Sequence, residues 1–582
     1  MNKQRTTPVV ERSLYDLLRS CQMGEAGAIV GGHIDRNELR QKLYVPTEED
    51  EAVTQFFVDG YEEDGRFLII TGSAGDGKSA LLSRAYKQAL EAGNPVEEAH
   101  IHMDATAAVR KHETYDRTLK RFLDRCKNYQ NSGGGPRTGL AINLGLAIDF
   151  FDRKGKSSEF PDIWDAIDSV RTQRENITDQ FHVINLGHRQ LYSVRPGELG
   201  EGLLRDIVEK FAFDDPESPF HDAYQREMDR CPADDRCPLL FNADRFTNEH
   251  VREKITKLIA ATGVVENAYL NPRSILDYVS SMILPSPLLR VDDLGECPVG
   301  EVVDDAEFGP ESLLWNTVFQ QLSGPDNNQS GHVDPVVQSS VSLDQTLLDW
   351  GADPAKLSEL SGSTPLMEGG DQATQIRTVL RRLYLIGDGR PETVLEDPWF
   401  VEFLGALTYL KQKQEVAVND TDLRDHVSAL LETVTESLRG WSGSVADSNY
   451  IEFVDGIKST DYRFLSRWSR PGPNNGESHE QTREETTPGQ LWLVLVPEGT
   501  DDSVPVPVTF ELYELMKQIR RGYNPNALDL ERSEGMRLIH SRLSEFTNKQ
   551  ELVRVVNKLD DELFSVERGG FNTLDVKRGG QR

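Results

Sequence analysis

One stretch of this sequence has the residue types and the spacing of a loop that holds phosphate groups. Glycines let a backbone wrap around an anion with its N–H groups pointing inward, and a following helix adds the positive end of its dipole. The amine of Lys78 is expected to reach the β- and γ-phosphates of a nucleotide, and the hydroxyl of Ser79 to bind Mg²⁺. The motif reads Gly72-Ser73-Ala74-Gly75-Asp76-Gly77-Lys78-Ser79, and the predicted cofactor-binding segment also includes Ala80.

The residues around the motif have the pattern of a strand on one side and a helix on the other. Residues 66–71 contain a short apolar run, and residues 78–92 have helical spacing. A glycine-rich loop between a strand and a helix is the context in which this motif binds nucleotides. We therefore predict a nucleotide-binding site with ATP and Mg²⁺ as its cofactors.

Hydrolysis of ATP also needs a carboxylate at the end of an apolar strand, where it holds the magnesium ion. No four-residue apolar run in the chain ends in Asp-Glu. Asp104, directly after the run 99–103, is the best placed carboxylate, and Asp149 is the alternative. The sequence thus predicts Ser79 and Asp104 as metal ligands and leaves efficient hydrolysis open.

Asparagines occur in the next two apolar runs, Asn143 in 140–144 and Asn185 in 182–186. An amide cannot supply the negative charge of a metal-binding carboxylate, but it can position water. Because Asp and Asn also favour turns, a purely structural role is the alternative for Asp104 and Asn143. The predicted catalytic residues are Lys78, Asp104, Asn185 and Arg273.

Arg273 stands at the start of a predicted helix, directly after Asn271 and Pro272. In AAA-like ATPases an arginine at such a helix start reports on the γ-phosphate, and an ordinary surface arginine is the alternative here. Another basic cluster on a predicted helix can be an arginine finger, a DNA contact or, by default, a solvated face: Arg377, Arg381 and Arg382.

The cysteines indicate a reduced, intracellular compartment, because their number, five, is odd and their spacing is no disulfide framework. Cys231 and Cys237 could supply half of a zinc site, for which Cys126 and His221 are the only further candidates. Two reduced structural cysteines are the preferred interpretation.

The elements that position these residues follow an α/β pattern. Strand-like runs alternate with helical runs, which predicts a mostly parallel sheet. The predicted fold class is an α/β P-loop NTPase (AAA- or STAND-like) with a parallel-sheet core, followed by helical domains and a small α+β C-terminal region. The predicted segments are N-terminal helical 1–60, NTPase core 61–200, lid-like helical 201–290, helical 291–468, flexible linker 469–489 and α+β 490–582.

The C-terminal region is predicted in more detail from its local patterns. Residues 491–496 and 504–510 alternate like paired strands. Helical runs are predicted at 511–521, 536–546 and 550–559, and the chain from residue 567 is expected to be frayed.

The composition limits the classes of partner. The formal net charge is −32 and the pI is about 4.8, so the chain lacks the basic character of a nucleic-acid binder. Any DNA contact would be a local patch or would belong to a partner. Adaptation to a salt-rich cytoplasm is the favoured interpretation of the acidic residues. Because no signal peptide and no apolar run of membrane-spanning length is evident, we expect a cytoplasmic protein.

The chain resembles the F component of DNA phosphorothioation-dependent restriction systems, DptF, a P-loop family of phage defence. The resemblance covers the chain from about residue 60 to its end and rests on short motifs in a fixed order. These motifs are the loop 72–79, the paired Ile-Asn-Leu-Gly turns at 142–145 and 184–187, and the segments 237–242, 271–278, 510–513 and 521–526.

The resemblance implies an ATPase subunit of a multi-protein restriction module that attacks DNA lacking the phosphorothioate mark. The other subunits of the module are the implied partners, and the DNA-cutting activity would reside in one of them. Two alternatives stay open: a nucleotide-gated scaffold or signalling protein with little turnover, and a DNA-binding module with a vestigial phosphate loop. The sequence leaves open whether the chain is part of an oligomer.

Overall fold

The structure is a computed structural model. It describes residues 12–22, 38–58, 64–94, 96–105, 114–132, 134–170, 175–233, 236–285, 298–299, 308–323, 332–337, 341–361, 371–387, 392–415, 421–441, 450–452, 462–467, 471–473, 489–497, 504–523, 525, 529, 535–539, 551–557, 559, 561–569 and 573–579.

The apolar run after Arg66 forms the central strand of a mostly parallel sheet. Its five strands lie in the order β2-β3-β1-β5-β4, and only β4 runs antiparallel to its neighbour. The predicted α/β class with a mostly parallel sheet is therefore confirmed. The strands are β1 (Phe67–Thr71), β2 (Ile101–His102), β3 (Thr138–Ala141), β4 (Glu175–Ile177) and β5 (Phe181–Asn185).

Helices cover both faces of this sheet, as continuous apolar strands require. Phe67 and Ile69 of β1 contribute to one buried cluster, and Leu68 and Ile70 contribute to another on the opposite face. The helices of this part are α1 (Leu14–Arg19), α2 (Glu38–Leu43), α3 (Glu48–Val58), α4 (Lys78–Glu91), α5 (Tyr115–Ser132), α6 (Leu144–Ile148) and α7 (Pro161–Ser169).

The chain continues with a long helical region, as expected for residues beyond 200. These helices are α8 (Leu203–Glu209), α9 (His221–Arg230), α10 (Pro238–Phe246), α11 (Glu249–Val265), α12 (Pro272–Ile283), α13 (Leu314–Ser323), α14 (Val341–Ala352), α15 (Pro354–Ser361), α16 (Gln372–Ile386), α17 (Pro398–Glu415) and α18 (Thr421–Trp441). None of the described helices is long and apolar enough to cross a membrane.

Two antiparallel sheets and the helix α19 lie in the described C-terminal part, where residues 535–539 are also helical. A three-stranded sheet has the order β10-β9-β8, and a five-stranded sheet has the order β13-β12-β11-β7-β6. The elements are β6 (Tyr450–Glu452), β7 (Tyr462–Arg467), β8 (Pro471–Pro473), β9 (Leu491–Pro497), β10 (Val504–Val508), α19 (Phe510–Arg520), β11 (Glu551–Asn557), β12 (Glu562–Arg568) and β13 (Leu574–Arg578).

Several predicted elements are corrected by these bounds. Residues 551–557 form β11 rather than a helix, because Arg554, Val555 and Val556 pair with strands on both sides. The chain from residue 567 is not frayed where it is described, since β12 continues to Arg568 and β13 follows. The segment 291–468, predicted to be helical, contains the strands β6 and β7. The segment 469–489, predicted to be a flexible linker, contains the strand β8. Residues 474–488 and most of 536–546 lie outside the described residues.

The strands of the parallel sheet also shift slightly from their predicted positions. The run 99–103 yields a strand of only two residues, because Glu98–His100 form a 3-10 turn. The run 140–144 ends as a strand at Ala141, because Asn143 caps α6.

By internal packing the chain divides into two compact units. The first comprises Met1–Ser193, Glu198–Thr262 and Tyr269–Val394, and it holds the parallel sheet. The second comprises Val194–Gly197, Gly263–Ala268 and Leu395–Arg582, and it holds both antiparallel sheets. The finer division into six segments stays a prediction.

Candidate nucleotide-binding site

The motif 72–79, here called the phosphate loop, lies at the carboxyl end of the central strand β1 and leads into α4. In open α/β sheets this edge is where ligands bind, and the start of α4 adds a helix dipole that favours anions. Gly72 and Gly75 have φ angles of 143° and 94°, which side chains rarely adopt. A Cβ on Gly72 would stand 2.6 Å from the Asp76 carboxylate, and one on Gly75 would stand 2.6 Å from the Asn271 side chain.

Lys78 is the cation that the motif supplies. Its Nζ donates a hydrogen bond of 2.5 Å to the Ser73 carbonyl, at the start of the same loop. Burial lowers the pKa of Lys78, while the nearby Asp76 and Asp104 carboxylates act in the opposite direction. The amine therefore lies at the loop, and among the described residues its hydrogen-bond acceptor is the Ser73 carbonyl, whose place a phosphate could take.

Ser79 and Asp104, the predicted metal ligands, line the same cavity. The Ser79 hydroxyl donates a hydrogen bond of 2.6 Å to the carbonyl of Met103, the residue before Asp104. The structure thus brings together a hydroxyl and a carboxylate from α4 and from the end of β2. Oxygen ligands of these two kinds suit Mg²⁺.

The two predicted asparagines have different surroundings. Asn143 lines the cavity, and its Oδ1 caps α6 by accepting from the Gly145 N–H at 2.9 Å. Asn185 is buried outside the cavity: its Nδ2 donates to the Val170 carbonyl, and its Oδ1 accepts from Gly187. Asn185 is therefore the predicted catalytic residue that the structure does not bring to the site.

Asp149, the alternative carboxylate, also lies away from the cavity walls formed by the described residues. Lys154 pairs with it at 3.1 Å and is the main cause of its lowered pKa. This exposed ion pair gives Asp149 no role at the phosphate loop.

Arg273 lines the cavity from the first turn of α12. The helix begins with a capping box, in which the Asn271 side chain accepts from the Ser274 N–H and the Ser274 hydroxyl accepts from the Asn271 N–H. Pro272 occupies the first helical position, so the backbone that carries Arg273 is fixed on both sides.

Three residues at the loop were not predicted as site residues. Arg189 donates to the Asp76 carbonyl at 2.8 Å, Tyr269 donates to the Asp76 carboxylate at 2.8 Å, and Asn271 donates to the Ala74 carbonyl at 3.3 Å. Tyr269 lies far from the motif in sequence, and no local pattern marks it. The sequence marks Asn271 only as the start of a helix. Arg189 has no signal of its own beyond its position shortly after the second Ile-Asn-Leu-Gly turn.

The cavity above the loop has a volume of about 480 Å³ and two kinds of wall. Among the described residues, six basic side chains and two acidic ones line it, whereas the whole chain has 64 basic and 96 acidic residues. This local excess of positive charge favours an anionic ligand. Apolar and aromatic walls, which suit a nucleoside, come from Leu39, Leu43, Tyr44, Val45, Leu203, Ile207 and Leu276.

Two arginines of the basic cluster on α16 bond to neighbouring groups of the protein. Arg381 pairs with Asp334 and contacts Asn316, and Arg382 donates to the Leu360 carbonyl. Among the described residues no group of three or more His, Cys, Asp or Glu is arranged to hold a metal ion, so Cys231 and Cys237 gain no further zinc ligands there.

No family model matches this chain, and no curated protein or solved structure is significantly similar to it. The geometry of the cavity and the motifs of the sequence are accordingly the basis of the proposals that follow.

Proposed function

We propose that this chain binds ATP with Mg²⁺ at the phosphate loop and hydrolyses it. One observation carries the proposal: a complete phosphate-binding motif lies between the central strand and α4 and opens into a cavity with a local excess of cations. The P-loop NTPase fold, finer than the α/β class, is part of this proposal.

Each group of residues in the cavity has a role in this proposal that follows from its chemistry. The loop N–H groups and Lys78 bind the phosphates, and the Ser79 hydroxyl and the Asp104 carboxylate hold the metal, which supplies charge neutralisation when bound. Arg273 contacts the terminal phosphate from α12. Asn185 lies outside the cavity and Asn143 lines it, which supports Asn143 as the amide that would orient water.

Calorimetric titration with MgATP tests binding. Lys78→Ala removes the amine that gives the loop its positive charge. Because this amine faces the cavity, the fold should survive. The affinity should fall roughly ten- to a hundredfold, since hydrogen bonds to charged groups are worth about 1.5–3 kcal/mol. Lys257→Ala is the matched control, because Lys257 pairs with Glu253 on the surface of α11. Equal affinities for wild type and Lys78→Ala would refute the proposal.

A nucleotide-gated scaffold with little turnover is the second candidate, and one observation favours it. The strands on both sides of β1 lead into Asn143 and Asn185 rather than into carboxylates. Steady-state phosphate release decides between the two. If the chain hydrolyses ATP, phosphate is released steadily, and Asp104→Asn should lower the rate of release more than it lowers the affinity for ATP. If the chain is a switch, it should bind ATP but release almost no phosphate.

We propose further that the site serves a DNA phosphorothioation-dependent restriction module, together with the module's other subunits. The ordered motifs of the resemblance support this role. In a host that carries the module, Lys78→Ala should abolish protection against phage at wild-type protein level. Full protection by this variant would exclude an ATP-driven role in defence.

A further inference from the structure

The phosphate loop is tied to the start of α12 by two side-chain hydrogen bonds. Tyr269 donates its hydroxyl to Asp76 Oδ1 at 2.8 Å, and Asn271 donates its Nδ2 to the Ala74 carbonyl at 3.3 Å. Both donors stand within four residues of Arg273. The two ends of the proposed site are therefore in direct contact through hydrogen bonds.

Asp76 is an unusual residue for a loop that binds an anion. Its side chain is only 1% exposed, and its second oxygen accepts from the Ser73 N–H at 2.5 Å. Burying a carboxylate is costly unless donors compensate for the lost water, and here Ser73 and Tyr269 do so. The same carboxylate thus holds the first turn of the loop and the residue that leads into α12.

Asn271 serves the loop and the helix with different atoms. Its Oδ1 caps α12 through the Ser274 N–H at 2.9 Å, while its Nδ2 contacts Ala74. A movement of residues 74–76 therefore acts on the cap that fixes the first turn of α12, where Arg273 lies. Gly75 allows this close approach because it has no Cβ.

We propose that Asp76, Tyr269 and Asn271 are positioning residues, which couple the phosphate loop to α12 so that Arg273 contacts the terminal phosphate when the loop holds a nucleotide. The inference rests on the proposed function. It makes a specific claim: preference for ATP over ADP depends on hydroxyl and amide groups that need not touch the nucleotide.

A double-mutant cycle on the ratio of the ADP and ATP dissociation constants tests the coupling. Arg273→Ala should lower this ratio about tenfold, as expected for one lost charged contact. Tyr269→Phe should lower the ratio about three- to tenfold and leave ADP affinity nearly unchanged. In the double variant the ratio should be no lower than in Arg273→Ala, because both changes remove the same contact.

Two further variants separate coupling from general damage. Asn271→Ser keeps a capping residue but loses the donor to Ala74, so it should lower the ratio as Tyr269→Phe does. Tyr278→Phe removes a hydroxyl from α12 outside the cavity walls and should leave the ratio unchanged. Since each ratio is measured within one variant, a moderate loss of stability affects both nucleotides alike.

The outcomes distinguish the two proposals. If wild type binds neither nucleotide, the proposed function fails and the coupling fails with it. If wild type prefers ATP and Tyr269→Phe keeps the same ratio, or if the effects of Tyr269→Phe and Arg273→Ala multiply in the double variant, the coupling alone is overturned.

Discussion

At the residue scale, the proposed metal-binding role of Ser79 can be tested through its present hydrogen bond. Its hydroxyl donates to the Met103 carbonyl, so binding of Mg²⁺ would require the hydroxyl to turn from that carbonyl toward the ion. Ser79→Ala should therefore weaken ATP binding in the presence of Mg²⁺ more than in its absence. Calorimetry with and without chelator measures both affinities, and an equal loss in the two conditions would exclude a metal-binding role.

Glu266 carries a pH dependence that is separate from the site. Burial, together with the Glu511 carboxylate, raises its pKa from 4.5 to about 7. A raised folded-state pKa stabilises the fold below the unfolded value, and this contribution is lost as pH rises through the folded value. Glu266→Gln should therefore gain stability relative to wild type between pH 5 and 8, by about 1 kcal/mol after allowance for partial exposure.

Thermal unfolding of Glu266→Gln across this pH range measures the effect. Glu253→Gln is the control, and its change in stability should have the opposite sign, because Lys257 lowers the pKa of Glu253. Parallel stability profiles for wild type and Glu266→Gln would show that Glu266 does not titrate as described.

At the scale of elements, the composition of the segment between β8 and β9 predicts a preferred site of proteolysis. Residues 474–488 contain no apolar residue and four glutamates, so their composition cannot offset the entropy of ordering. Limited digestion with a glutamate-specific protease should cut there first. Earlier cleavage inside residues 64–94 would contradict the predicted linker, although its first residues already proved to be strand β8.

Local patterns predicted the elements whose signals are continuous in sequence. The apolar run of β1 and the glycines before α4 define the loop without help from distant residues. The strand at 551–557 was missed, because its pairing with β7 and β12 is a long-range property. β3 was placed too late, since the apolar run continues past Ala141 into the residue before the Asn143 cap.

In the candidate site, too, local motifs were predictable from the sequence and long-range contacts were not. The motif defined the phosphate loop, and Asp104 and Arg273 line the cavity as expected. The contact between Tyr269 and Asp76 joins residues 193 positions apart, and no spacing rule connects them. Asn185 was misjudged because a strand-end asparagine that orients water and one that caps a turn look alike in sequence.

At the scale of the whole molecule, charge is the dominant property. A net charge of −32 opposes compact folding through self-repulsion, which salt screens. If the acidic surface is an adaptation to a salt-rich cytoplasm, the melting temperature should rise as KCl increases toward molar levels. A flat or falling melting temperature over that range would remove this interpretation.

The central claim is that the phosphate loop itself holds the nucleotide. Hydrogen exchange of backbone amides tests it most directly, because the loop N–H groups are the expected phosphate ligands. MgATP should slow exchange in peptides that cover residues 72–82, and Lys78→Ala should abolish this protection. ATP binding with unchanged exchange in residues 72–82 would contradict the claim.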